Sequence, residues 1–135
     1  MTALNSPRNA TLKSGTTVTR PGYILTNDST TNTLDLTAAG EVALGISADE
    51  SERDSSGLVS GGLVSFYPLG GVLMVAAAAS QTLTTGLTVY AGAGGLLTTT
   101  AGSNKKLGLY IGEGVVTGSA AGDLVPVMTG ASVIA

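Results

Sequence analysis

The chain reads as all-β: a compact small β-barrel or β-sandwich of short antiparallel strands, preceded by an extended N-terminal arm. Three observations lead there. Apolar residues alternate with polar or very small ones at period two through most of the 135 residues, the pattern of half-buried strands. Clusters of Gly, Ser, Asn and Ala break these runs at short intervals, as tight turns require. No segment sustains helical periodicity, and strands at this spacing without helices between them belong to small barrels and sandwiches.

Taken in order, residues 1–20 form the expected arm and residues 21–135 the β domain. The segment 33–37 (TLDLT) alternates cleanly. In 42–47 the apolar Val42, Leu44 and Ile46 alternate with Ala43, Gly45 and Ser47. The segment 74–80 (MVAAAAS) is the one helical candidate, because Ala is the best helix former. It is short and follows Gly70 and Gly71, so it reads as a strand running into a turn. Further strands are expected at 87–90 and 124–128, and at 107–112, where Leu107, Leu109 and Ile111 alternate with Gly108, Tyr110 and Gly112. Pro68 and Pro126 place their strands at an edge or a bulge, since proline cannot donate to a ladder. In 42–47 and 107–112 the second face is mostly Gly, Ala and Ser, which admits another backbone closely. That backbone belongs either to a tight interior or to a neighbouring subunit.

Charge is distributed unevenly. From residue 55 to residue 104 the chain runs fifty residues without Asp, Glu, Lys, Arg or His, whereas an average domain is about 25% charged. This is not a membrane span, because its longest apolar piece (LGGVLMVAAAA, 69–79) falls well short of the roughly 20 residues needed. Such a stretch is expected to supply much of the buried surface of an oligomer. One Phe, four Tyr and no Trp make a thin core, for which oligomerisation is a standard remedy. The net charge is −3; residues 1–20 carry Arg8, Lys13 and Arg20 with no acid, so the rest of the chain carries −6. Asp49, Glu50, Glu52 and Asp54 crowd the run DESERD, which lacks the spacing of a calcium loop and reads as a solvated loop. Three N-terminal charges without interleaved aromatics on an acidic chain argue against nucleic acid.

The composition also argues against catalysis. Without His the commonest general base and metal ligand are missing, and without Cys there is no thiolate nucleophile. No nucleophile elbow occurs, and the glycine tracts at 92–95 and 112–118 fit no phosphate loop. Glu113 and Asp123 flank a turn and are the best carboxylate pair, but solvated loop acids describe them better. No catalytic residue, metal or cofactor is expected. The first eight residues show no basic stretch followed by an apolar one, so no secretory leader is expected either.

The order of several segments resembles the small capsid decoration (cement) proteins of tailed bacteriophages. It opens with RPGY at 20–23, VALGIS at 42–47 and FYPLGGV at 66–72. It continues with LTTGLTVY at 83–90, KLGLYIG at 106–112 and GDLVPV at 122–127, so that it covers roughly residues 20–128. The resemblance implies a β domain that assembles, commonly as a trimer, on the outer surface of the capsid after synthesis in the host cytoplasm. There it would bridge major capsid protein subunits and stabilise the shell, often through an N-terminal arm. On that view Arg8, Lys13 and Arg20 contact the capsid, and Phe66, Tyr67, Leu69 and Tyr90 contact neighbouring copies. The arm should then be removable with the β domain left folded. A carbohydrate- or surface-binding β module, supported by the Thr/Ser/Asn-rich composition, is the alternative. No nucleic acid and no membrane are expected partners.

Overall fold

The computed structural model describes residues 8–16, 18, 21–48, 53–54, 57–58 and 62–130. The fold is all-β. A first sheet is ordered β1 (Arg8–Thr11), β7 (Leu63–Pro68), β4 (Gly45–Ser47), β2 (Ile24–Asp28), β3 (Thr33–Leu36). A closed five-stranded barrel follows: β10 (Thr88–Ala91), β11 (Leu97–Thr98), β8 (Gly71–Ala77), β14 (Asp123–Thr129), β12 (Lys105–Tyr110). Two ribbons complete it, β5 (Arg53–Asp54) with β6 (Gly57–Leu58), and β9 (Thr82–Leu83) with β13 (Val115–Val116). Pairing is antiparallel except for β11 on β8. The segment 74–80 is strand up to Ala77 and then turn; among the described residues the one 3-10 turn, Ala93–Gly95, lies in a glycine cluster.

Successive residues of the first sheet point to opposite faces and feed two cores. Ile24, Ile46 and Tyr67 face the barrel and join Leu73, Val75, Val89, Leu97, Leu107 and Val127. Leu25, Leu34 and Val64 face the other way and enclose Leu12 and Val18, with Leu36 and Phe66 packed alongside. That second core sits inside a curl. Leu12 meets Leu34 in a parallel bridge and the Lys13 N–H donates to the Leu34 carbonyl at 2.7 Å, so the two edge strands of the sheet are brought together. The Lys13 ammonium lies 2.8 Å from Asp28 and 4.0 Å from Asp35, and the Thr16 hydroxyl donates to Asp35 at 2.7 Å.

The expected N-terminal arm is therefore corrected in its described part. Residues 8–11 pair with residues 63–66 of β7, and Leu12 and Val18 are buried. Apolar burial holds the segment in place, and the boundary at residue 20 does not separate it from the β domain. Removing it would strip the second core of two of its five buried side chains.

Two alternations are also corrected. Val42 and Leu44 are exposed while Ala43 and Gly45 are buried, because Gly45 lies under Phe66: a Cβ there would stand 2.6 Å from its ring and from the Tyr67 carbonyl. In β12 the register against β10 slips, with Val89 opposite Gly108 but Tyr90 opposite Lys106. Leu107 is thus a bulge residue, which reverses the faces beyond it. Tyr110 turns inward and Ile111 outward. The close approach permitted by the small residues is within the chain, since a Cβ on Gly108 would overlap the Met128 carbonyl. Pro126 lies in a strand paired on both sides, not at an edge. Its carbonyl accepts from Ile111 at 3.2 Å just past the end of β12, and its missing N–H removes the reciprocal bond of that pair, at the point where the β12–β14 ladder ends.

A turn at Gly22 ties the sheet to the barrel. The Gly22 N–H donates to the Ser47 carbonyl, and the Gly22 carbonyl accepts from Ala76 of β8, both at 2.8 Å. Gly22 has φ +100°, and a Cβ there would overlap Leu124 and stand 3.1 Å from the Ala76 nitrogen. Strain in the left-handed region and overpacking act together. Gly22→Ala is expected to lower unfolding free energy by about 2–4 kcal/mol, read from the midpoint of urea denaturation.

The Lys13–Asp28 pair makes the curl pH-dependent. The Lys13 ammonium, aided by the backbone N–H groups of Thr31 and Thr30, holds the Asp28 carboxyl below the ordinary aspartate range. Asp28 in turn raises Lys13 above its ordinary value. A lowered acid pKa stabilises above the unfolded value of about 3.9 and is lost as pH falls through the folded value. A raised lysine pKa stabilises below about 10.4 and is lost as pH rises through its folded value. The coupling between Lys13→Met and Asp28→Asn, measured as a double-mutant cycle by thermal unfolding, should be present at pH 7 and shrink progressively as pH falls below about 3.9.

Candidate functional site: an apolar outer face of the barrel

Strands β8 and β14 pair over seven residues each. Their inward residues, Leu73, Val75 and Ala77 with Val125, Val127 and Thr129, fill the barrel. Their outward residues are also apolar. Val72 is opposite Met128, Met74 opposite Pro126, and Ala76 opposite Leu124. Val72, Met74, Leu124 and Met128 are 47%, 48%, 47% and 39% exposed, and only Ala76 is covered, by the turn at Gly22. The two strands hold one charged residue between them, Asp123 at the start of β14.

Clefts flank this face. One of about 420 Å³ is bounded by Pro21, Ala48, Tyr67, Val72, Met74 and Leu124. Another of about 480 Å³ shares Leu124 and adds Pro126, Tyr110, Glu113, Val115 and Asp123. The apolar surface thus runs from Tyr67 across Met74 and Leu124 toward Val115. Glu113 and Asp123 do line one cleft, yet Asp123 accepts from the Gly118 N–H at 2.8 Å, as a turn-organising acid does. Tyr110 donates its hydroxyl to the Glu113 carbonyl. No group of three His, Cys, Asp or Glu placed to hold a metal ion occurs among the described residues. Among them, no helix is long and apolar enough to cross a membrane.

The residues singled out from sequence are scattered. Arg8 begins β1 and is exposed; Lys13 is held by Asp28; Arg20 lies outside the described residues. Phe66 and Tyr67 are neighbours on β7 and face opposite ways, Phe66 against the curled core and Tyr67 against the barrel core and the first cleft. Leu69 is half-buried against the barrel core. Tyr90 lies apart, in a third cleft with Lys105 and Lys106. Each of these clefts holds one aromatic residue. The charge-free stretch supplies mostly this chain's own core, including Val64, Leu73, Val75, Leu83, Val89 and Leu97. Within it, Leu63, Val72 and Met74 are the large exposed apolar residues among those described.

Sequence reasoning missed Val72, Met74, Leu124, Pro126 and Met128. Their signal is that GVLMVAA and DLVPVMT are apolar on both faces, which ordinarily marks a strand covered on both sides. Compared with known proteins, the chain matches no family model and no curated sequence.

The inside–outside assignment on β8 is testable with adjacent residues. Leu73→Ala should cost about 2–5 kcal/mol as a cavity substitution, whereas Met74→Gln should change stability by no more than about 0.5 kcal/mol as a surface one. Chemical denaturation of the two variants compares them directly.

Proposed function

We propose that this chain is a structural protein of a bacteriophage head, a decoration protein that assembles on the capsid exterior and stabilises the shell by bridging major capsid protein subunits. The observation that carries the reading is the outward apolar face of β8 and β14. Monomeric soluble proteins rarely leave a large contiguous apolar patch uncovered, and such patches mark protein contacts. The face lies on a closed barrel whose strands cannot shift without breaking ladder bonds, so it is presented as a preformed, rigid surface. Rigidity suits repeated attachment to a lattice, since little ordering entropy is lost on binding. Several copies joined to one another then bind with an avidity beyond that of each contact.

The segment order RPGY, VALGIS, FYPLGGV, LTTGLTVY, KLGLYIG and GDLVPV supports the same reading by its resemblance to the decoration proteins. Attachment through a free N-terminal arm has less support, because Lys13 is already paired and residues 8–11 are committed to β7. The outer face of the barrel takes that place in the proposal. A sugar-binding role has no favouring observation, since stacking on a sugar ring draws on grouped aromatics and each cleft has one.

Purified protein mixed with undecorated heads should co-sediment with them. The pair Val72→Glu and Met128→Glu, on exposed cross-strand neighbours, should leave the unfolding midpoint unchanged and weaken attachment about tenfold or more. Wild-type protein that stays monomeric and is not retained by heads would sink the proposal.

A further inference from the structure

The third cleft, about 500 Å³, opens between the loop carrying Val42 and Ala43 and the turn leading into β12, and is bounded by Tyr90, Asn104, Lys105 and Lys106. Its chemistry differs from that of the apolar face. Lys105 and Lys106 are exposed and, among the described residues, have no carboxylate within ion-pair distance; the ion pairs present all belong to Lys13. Glu41, the nearest acid in sequence to Val42, is engaged elsewhere, accepting from the Ala38 N–H at 2.7 Å. Asn104 donates its side-chain amide to the Thr100 carbonyl at 3.0 Å, while its Oδ1 is buried with no partner. Two ammonium groups without a carboxylate partner beside an apolar wall of Val42 and Ala43 call for an occupant with carboxylates. An acidic peptide segment supplies them.

We propose that this cleft receives the acidic run 49–54 (DESERD) of a second copy of the chain, joining copies head to tail. Charge complementarity selects that occupant. The run holds four of the chain's nine acids, and the strand that ends it, β5, pairs with β6 in a ribbon separate from both the first sheet and the barrel. In sequence the run follows directly on Ala48, just beyond one end of β4, its residues 49–52 lying outside the described ones, while Val42 and Ala43 of the lysine cleft precede the other end of that strand. A contact between two different surfaces, repeated head to tail, closes into a ring or extends into a filament according to the rotation between copies. The contact is separate from the apolar face and stands independently of the attachment to heads proposed above.

The test is sedimentation velocity of the full chain at rising sodium chloride. Wild-type protein should self-associate at low salt and dissociate as salt screens the contact. Lys105→Glu with Lys106→Glu should weaken association about tenfold or more, and so should Asp49→Lys with Glu50→Lys. All four substitutions in one chain should restore it, with circular dichroism reporting folded protein throughout. Wild-type protein that is monomeric at low salt, reversals that leave sedimentation unchanged, or a combined variant that does not recover would each overturn the proposal. So would loss of head attachment by the lysine variant with no change in solution association, since that outcome assigns the cleft to an acidic surface of another protein.

Discussion

The molecule depends on one crossing of backbones. At Gly22 the chain leaves the N-terminal segment, bonds to Ser47 of the first sheet and to Ala76 of the barrel, and enters β2. The left-handed backbone and the lack of room for a Cβ are two constraints that only glycine meets together. Because β2 sends Ile24 into the barrel core and Leu25 into the curled core, the position of this turn sets how both cores are shared. A second crossing reinforces it: the Thr37 hydroxyl donates to the Gly92 carbonyl at 2.9 Å, and the Gly95 N–H donates to the Thr37 carbonyl at 3.1 Å.

The two halves solve the edge-strand problem differently. The barrel closes fully, with its shortest seam the single parallel pair of Leu97 with Ala77, and leaves no edge. The first sheet closes by one bridge at Leu12 and Leu34, an exposed ion pair and a threonine hydroxyl. Surface ion pairs contribute little by themselves, so the burial of Leu12 and Val18 is the main attraction there, and the polar contacts fix its register. The Lys13–Asp28 pair gives this seam its pH dependence.

Function follows from where the chain leaves apolar and charged groups uncovered. The outer wall of β8 and β14 is apolar and lies on the closed barrel, whereas Lys105 and Lys106 stand exposed at the start of β12. A surface of the first kind contributes burial, which is non-directional. Contacts of the second kind contribute orientation and partner choice. Under the proposed reading, the two kinds of contact would act together in an assembly of many copies.

How much of this was legible in the sequence depends on the range of the interaction that decides each feature. Period-two alternation and turn chemistry are local, and they were enough for the all-β class, for the strand at 33–36, for the strand-then-turn reading of 74–80 and for the scarcity of helix. The face of each strand was not always legible. A bulge at Leu107 reverses the pattern of β12, and Phe66, twenty-one positions away in the chain, excludes a side chain at Gly45. The N-terminal segment carries too few apolar residues to announce itself as a strand, and its place depends on β7 and β3, both distant in sequence. The same holds for the candidate surface. That β8 and β14 are apolar throughout is written in the residues, but that one of their faces stays outside is settled by barrel closure, because a closed sheet has one interior and whatever points away from it remains exposed.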